Sequence, residues 1–132
     1  MKEIINFFKQ CPCIADKKLR EDYLGPESGS IAIIPDGGEQ ILKTYASGDM
    51  LGQICVKILM RSFFTGEANK IFNEISDWIT EGTTSLPKLF GDKVAQYFEI
   101  TEAPLLIKTE VNAGIYEMKL KLVYYRKGVK NE

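Results

Sequence analysis

The chain contains no histidine. That absence removes the commonest general base and every nucleophile arrangement built on an imidazole. A zinc site would have only cysteine and carboxylate ligands, and no Cys-x₂-Cys spacing exists. The three cysteines, Cys11, Cys13 and Cys55, are too few and wrongly spaced for a disulfide framework. A Cys11–Cys13 bond would close a very tight ring through Pro12, so all three are expected as reduced thiols in a reducing compartment. Charge of either sign is not in excess: the net charge is -1, which gives no global attraction to nucleic acid or to an anionic membrane. Long apolar runs are missing too, none approaching the roughly 20 residues that span a bilayer. The N-terminal Met1-Lys2-Glu3-Ile4-Ile5-Asn6-Phe7-Phe8-Lys9 is too polar and short for a signal peptide. A soluble protein made in the cytoplasm is expected.

Glycine-rich phosphate loops are also absent. Gly37-Gly38 and Gly48-Asp49-Met50-Leu51-Gly52 match neither G-x-x-x-x-G-K-[ST] nor G-x-G-x-x-G, and serve as turns. Carboxylate pairs such as Asp16 with Asp22, or Glu99 with Glu102, read as solvated surface charge rather than an acid–base pair. Cys55, near Lys57, reads as a small residue filling a strand position. With no convergent acid, base and nucleophile, no enzyme activity and no cofactor are expected.

What is present is the pattern of one α+β domain over residues 1–132, long enough to bury a core without a disulfide or metal. Lys2 to Gln10 reads as a short helix with Ile4, Ile5 and Phe8 on one side, ended near Pro12. Ser30 to Ile34 reads as a strand stopped by the turn Pro35-Asp36-Gly37-Gly38, and Gln40 to Ser47 as a second. Gln53 to Phe63 is the clearest strand, with Ile54, Val56, Ile58 and Met60 on one face and Gln53, Lys57 and Arg61 on the other. Thr65 is the expected N-cap of a helix carrying Ala68, Ile71, Phe72, Ile75, Trp78 and Ile79, with Trp78 largely buried and Gly82 closing the helix. Val94 to Thr101, Leu105 to Val111 and Ile115 to Arg126 read as three more strands, parted by Glu102-Ala103-Pro104 and Asn112-Ala113-Gly114. The order predicts a mixed or antiparallel sheet of about four to six strands with helices packed on one face.

The non-core faces of these strands collect Lys57, Arg61, Lys119 and Lys121, with Lys108 a further candidate. A solvated face of an antiparallel sheet accounts for them; the alternative is a face turned to an acidic partner, or to DNA inside an assembly. Glu99, Glu110 and Glu117 dilute the positive charge, which favours cross-strand or intersubunit ion pairs over a nucleic-acid groove.

Several segments carry a family resemblance. They are Ile5-Asn6-Phe7-Phe8-Lys9-Gln10-Cys11-Pro12, Ser30 to Pro35, Tyr45-Ala46-Ser47-Gly48-Asp49, and the strand ending Met60-Arg61-Ser62. Asn73 to Trp78, Ser85-Leu86-Pro87 and Leu120 to Tyr125 complete the set. Over nearly its whole length the chain resembles the minor capsid or tail-completion proteins of long-tailed phages and related tailocins, the tail-terminator class. The resemblance implies a non-enzymatic particle component, a homo-oligomeric and commonly hexameric ring on the head-proximal end of the tail tube. Such a ring ends polymerisation and presents a docking surface to neck, connector or sheath proteins. It is assembled in the cytoplasm of the producing bacterium and then resides at the tail–neck junction, with no cofactor, no metal, no membrane and no specific nucleic acid. The family supplies no catalytic residues, so interface positions rest on physics. Lys57, Arg61, Lys119 and Lys121 are candidates for neighbour or tube contacts, and Asp36, Gly48 and Asp49 in the loops for contacts along the ring axis. Charge reversal at Arg61 and Lys119 is expected to weaken association without unfolding the domain. Two other readings remain: a head-completion or neck adaptor, and a small-ligand-binding or enzymatic domain with Tyr97, Phe98, Tyr116 and Tyr124 lining a pocket.

Overall fold

Alternation of apolar and polar residues in Met50–Ser62 makes that segment the centre of a five-stranded mixed sheet. The structure is a computed structural model and describes residues 2–15, 17, 19–21, 23–82, 86–89 and 91–128. Its elements run α1 (Lys2–Phe8), β1 (Leu19–Arg20), β2 (Ile31–Thr44), β3 (Met50–Ser62), α2 (Thr65–Asp77), β4 (Lys93–Glu110) and β5 (Ala113–Arg126). A π-helical turn, Trp78–Gly82, prolongs α2. Strand order is β1-β2-β3-β5-β4. β1 lies parallel to β2, and every other pairing is antiparallel. The expected α+β class, with helices on one face, holds.

One face of the sheet and the two helices share a single core. β3 supplies Val56, Ile58 and Met60, β5 supplies Met118, Leu120 and Leu122, and β2 supplies Ile31 and Ile33. Phe72 and Ile75 of α2 close on them, at 0% exposure. Although α1 is one of the shorter elements, it is anchored by an aromatic cluster: Phe7 stacks on Phe98 at 5.2 Å and meets Trp78 at 4.7 Å between centroids. Trp78 is partly rather than largely buried, because it sits at the edge of that cluster.

The structure corrects several expected boundaries. Pro35-Asp36-Gly37-Gly38 is no turn but a bulge inside β2, whose register shifts between Pro35 and Glu39. Gly37 and Gly38 take φ of 83° and 78°, a left-handed backbone open to glycine, so the extra residues are absorbed without breaking the strand. Likewise Glu102-Ala103-Pro104 does not divide β4. Its 18 residues pair with the 14 of β5 through register shifts at Ala95/Tyr97, Ile100/Glu102, Glu102/Leu105 and Leu106/Lys108. Pro104 is tolerated because β4 is an edge strand and needs no donor on its open side. Leu19–Arg20 forms a short strand, β1, beyond those expected from the sequence. The α2 N-cap is Phe64, with extended φ and ψ and no side-chain cap, rather than Thr65. Ser62 does the local work instead: its hydroxyl accepts from the Phe64 N–H at 3.1 Å and donates to the Phe64 carbonyl at 2.7 Å.

Candidate assembly surface

Among the described residues, no helix covers the second face of the sheet. Strand alternation places Gln53, Cys55, Lys57, Leu59 and Arg61 of β3 there, beside Ile115, Glu117, Lys119, Lys121 and Val123 of β5. β4 adds Val94, Tyr97, Glu99, Glu102 and Leu105 in register. The rows have a definite order. Gln40, Gln53, Val123 and Tyr97 form one row, with Lys57, Lys119 and Glu102 two rows on. Charged rows thus occupy the middle of the face. Apolar residues flank them at both ends, namely Leu51, Val94 and Tyr97 around the fully buried Val123 at one and Leu59, Leu105 and Ile115 at the other.

The structure brings three of the four expected basic residues together. Lys57 and Lys119 are directly opposed across β3 and β5, and Lys121 is opposed to Cys55. Lys119 pairs with Glu102 at 3.4 Å and Glu117 at 3.7 Å, and Lys121 pairs with Glu99 at 3.4 Å. The hydrogen bond to Glu102, then the charges of Glu102, Asp36 and Glu117, hold the Lys119 ammonium above its ordinary pKa. Asp36, carried by the β2 bulge, therefore belongs to the same electrostatic neighbourhood. Glu99 and Glu102 are ion-pair partners of lysines, not an acid–base pair. Asp16 and Asp22 lie outside the described residues. Lys57 alone of the group has no carboxylate partner among the described residues.

Arg61 shares the face but faces inward. Its side chain is only 16% exposed, its Nε donates to the Gly25 carbonyl at 2.7 Å, and its Nη1 pairs with Glu110. It ties the loop before β2 to the end of the β4–β5 hairpin. Arg61 is thus a structural strut, so reversing its charge removes two intramolecular contacts in addition to any at an interface.

Gly48 and Asp49 stand apart, in the β2–β3 turn. The Asp49 carboxylate accepts from the Tyr125 hydroxyl and, at 2.6 Å, from the Gly128 N–H. The Tyr125 hydrogen bond first, then that of Gly128, lowers the Asp49 pKa. This loop is locked onto the end of β5.

An aromatic pocket does not form. Phe98, Tyr116 and Tyr124 point to the helix-covered face and are buried, whereas Tyr97 points to the other. A separate hollow of about 330 Å³ lies beside Pro35, Glu39, Ile54 and Lys93. Two of its polar groups satisfy each other, with Lys93 Nζ 2.5 Å from Glu39 Oε1. Among the described residues there is no cluster of metal-binding side chains, and no helix is long and apolar enough to cross a membrane.

Both sheet edges are open over much of their length. β1 covers only Ile31 and Ala32 of β2, and among the described residues the outer side of β4 is paired at one point, the antiparallel bridge of Lys88 to Val94. Large apolar side chains are exposed along them: Ile41, Leu42 and Tyr45 on the β2 side, and Val94, Tyr97, Leu105, Leu106 and Ile107 on β4. The alternation of β3 and β5 carries the signal for the charged rows. The apolar edges escape a sequence reading because neither the order of the strands nor the bulges can be read locally. Comparison with protein-family models and with curated proteins yields no match.

Proposed function

We propose that this chain is a non-enzymatic assembly subunit of a phage-tail or tailocin particle. In this reading it forms a ring on the head-proximal end of the tail tube, stops tube growth and presents the surface to which neck or connector proteins dock. The observation that carries the reading is a sheet with one partly apolar face that no described helix covers and two edges open over part of their length. Monomeric proteins seldom leave such edges free, because unpaired strand groups are templates for another chain. The sequence segments that resemble tail-terminator proteins supply the particle context. Acidic residues interleaved with Lys119 and Lys121 support a protein partner, the tail tube or a second copy, over nucleic acid.

Electron microscopy of particles assembled with the gene deleted and then restored tests the reading. Tubes of uncontrolled length, corrected by restoration, are expected. Tubes of normal length that fail to join heads would assign the protein to the neck, and normal particles would overturn both assignments.

A further inference from the structure

The two ends of the sheet carry features that fit each other. At one end the β2–β3 hairpin projects as an arm, with residues 37–48 all exposed. The arm carries the large apolar residues Ile41, Leu42 and Tyr45. Lys43 lies among them, its Nζ 5.0 Å from the Tyr45 ring centroid, with no carboxylate partner among the described residues. At the other end, where Ser62 of β3 meets Gly114 of β5, a hollow of about 210 Å³ opens between Phe63, Leu106, Glu110 and Tyr116. We propose that the arm of one copy of this chain enters the hollow of a second copy, so that copies join head to tail. The proposal deepens the ring reading and rests on it only for the closure of the ring.

Three observations favour a second copy as the occupant. First, the arm cannot reach the hollow of its own chain. The 13 residues of β3 separate them, and at about 3.3 Å per residue that is roughly 40 Å. Second, the hollow suits protein side chains. It is smaller than the roughly 300–1,000 Å³ of small-molecule pockets, and its rim is apolar and exposed. Phe63 and Leu106 line it, and the neighbouring Phe64 and Val111 are 68% and 97% exposed. That rim is held in place before any partner arrives, because the Phe63 N–H donates to the Ser28 hydroxyl at 3.1 Å. Third, the charges complement. Glu110 lines the hollow, and Glu67 accepts at 3.5 Å from the hydroxyl of Ser62, which also lines it. Among the described residues no lysine or arginine lines it, and Arg61, the partner of Glu110, is mostly buried. Lys43 of an entering arm therefore meets carboxylates. Two arms brought together would oppose Lys43 to Lys43, and two hollows Glu110 to Glu110, so unlike ends are favoured over like ones. The contact is heterologous, and such contacts close into rings or run on as filaments.

Sedimentation of the purified chain with two variants, Leu42→Asp on the arm and Phe63→Asp at the hollow, tests this. Leu42 is the residue that the β2 register shift leaves without a partner on β3, and Phe63 lies between β3 and α2. Neither substitution breaks a ladder, and a thermal melt verifies that each variant remains folded. The wild type is expected to self-associate with rising concentration, and each variant alone to remain monomeric. Their equimolar mixture forms a dimer that grows no further, because the intact hollow of Leu42→Asp receives the intact arm of Phe63→Asp. Lys43→Glu should weaken association about tenfold, since it exchanges attraction for repulsion at the carboxylates. A monomeric wild type, a mixture that stays monomeric, a Leu42→Asp variant that dimerises by itself, or a Lys43→Glu variant that associates as tightly as wild type would each overturn the proposal. These results separate the arm contact from the tail reading. Particles whose tube length is restored by both Asp variants would leave the terminator function standing while the arm contact fails.

Discussion

Arg61→Ala separates a fold-bearing cation from an assembly-bearing one on the same sheet face. The substitution removes the Nε hydrogen bond to the Gly25 carbonyl and the ion pair with Glu110. A hydrogen bond from a charged donor contributes about 1.5–3 kcal/mol. The ion pair adds only about 0.5 kcal/mol, since the Glu110 side chain is 33% exposed and rehydrates. The backbone bonds of Arg61 to Gly29 and Ser30 survive, so the loop before β2 loosens without detaching. A loss of about 2.5 kcal/mol is expected. With an unfolding entropy of about 2.1 cal/mol/K per residue over 132 residues, 1 kcal/mol moves the melting midpoint by about 3.6 °C. The midpoint should therefore fall by about 9 °C, followed by circular dichroism or by the fluorescence of the single tryptophan, Trp78. Lys57→Glu is the contrast. It replaces the Lys57–Lys119 opposition with an attractive cross-strand pair, so the melt should hold or rise slightly while binding to the tail tube is lost. An Arg61→Ala variant that melts within about 2 °C of wild type and no longer associates would refute the strut and return Arg61 to the interface.

A Cβ added at Gly52 would sit 2.4 Å from Tyr124 Cζ, so Gly52→Ala should cost about 1–3 kcal/mol by overpacking, and an unchanged denaturation midpoint would refute the close approach. Burial, and then the hydrogen bond to Glu39, pushes the Tyr124 hydroxyl up to about 12. The folded state then holds this proton more tightly than the unfolded chain, so Tyr124 contributes stability below about pH 10 that is lost as pH rises toward 12. Tyr124→Phe should flatten alkaline unfolding over that range; an unaltered slope counts against it. Hydrogen bonds from Lys93, then from Tyr124, lower the Glu39 pKa. Its contribution is present above the unfolded value near 4.3 and lost as pH falls through the folded one, so Glu39→Gln should weaken the acid dependence in a pH series of melts. Burial first, and then the Cys11 thiol 3.2 Å away, raises Cys13 to about 12; alkylation of the native protein near neutral pH should spare Cys11 and Cys13, and rapid modification of both would contradict this packing.

The sheet's two inner strands were legible because each has an uninterrupted period of two. Val56, Ile58 and Met60 on β3, and Met118, Leu120 and Leu122 on β5, reveal the buried face directly. Lys57, Lys119 and Lys121 fall on the opposite face by the same parity, and their juxtaposition follows once β3 and β5 are neighbours. The role of Arg61 was not legible. Its partner Gly25 is 36 positions away in sequence, and parity says only which face a side chain leaves from, not whether it lies back over a loop. The outer strands misled for a different reason. Gly37-Gly38 and Pro104 look like chain reversals because glycine and proline usually mark them. On an edge strand the same residues permit extra length without a reversal.

That difference has a mechanical consequence. All the register shifts between the long strands lie on β2 and β4, which flank the pair β3–β5. An outer strand with more residues than the inner strand it follows must bend and twist more strongly to stay in contact. The bulges also change which side chain faces the open edge at each step, so a passing strand can match the edge only over a few residues. Restoring regularity should therefore broaden association rather than strengthen it specifically: deleting Gly37 and Gly38 together, which shortens the β2 bulge by an even number and keeps the faces in phase, should yield a folded protein that forms irregular aggregates in place of discrete oligomers. Discrete oligomers of unchanged size from that deletion, seen by sedimentation, would show that the bulges do not protect the edge.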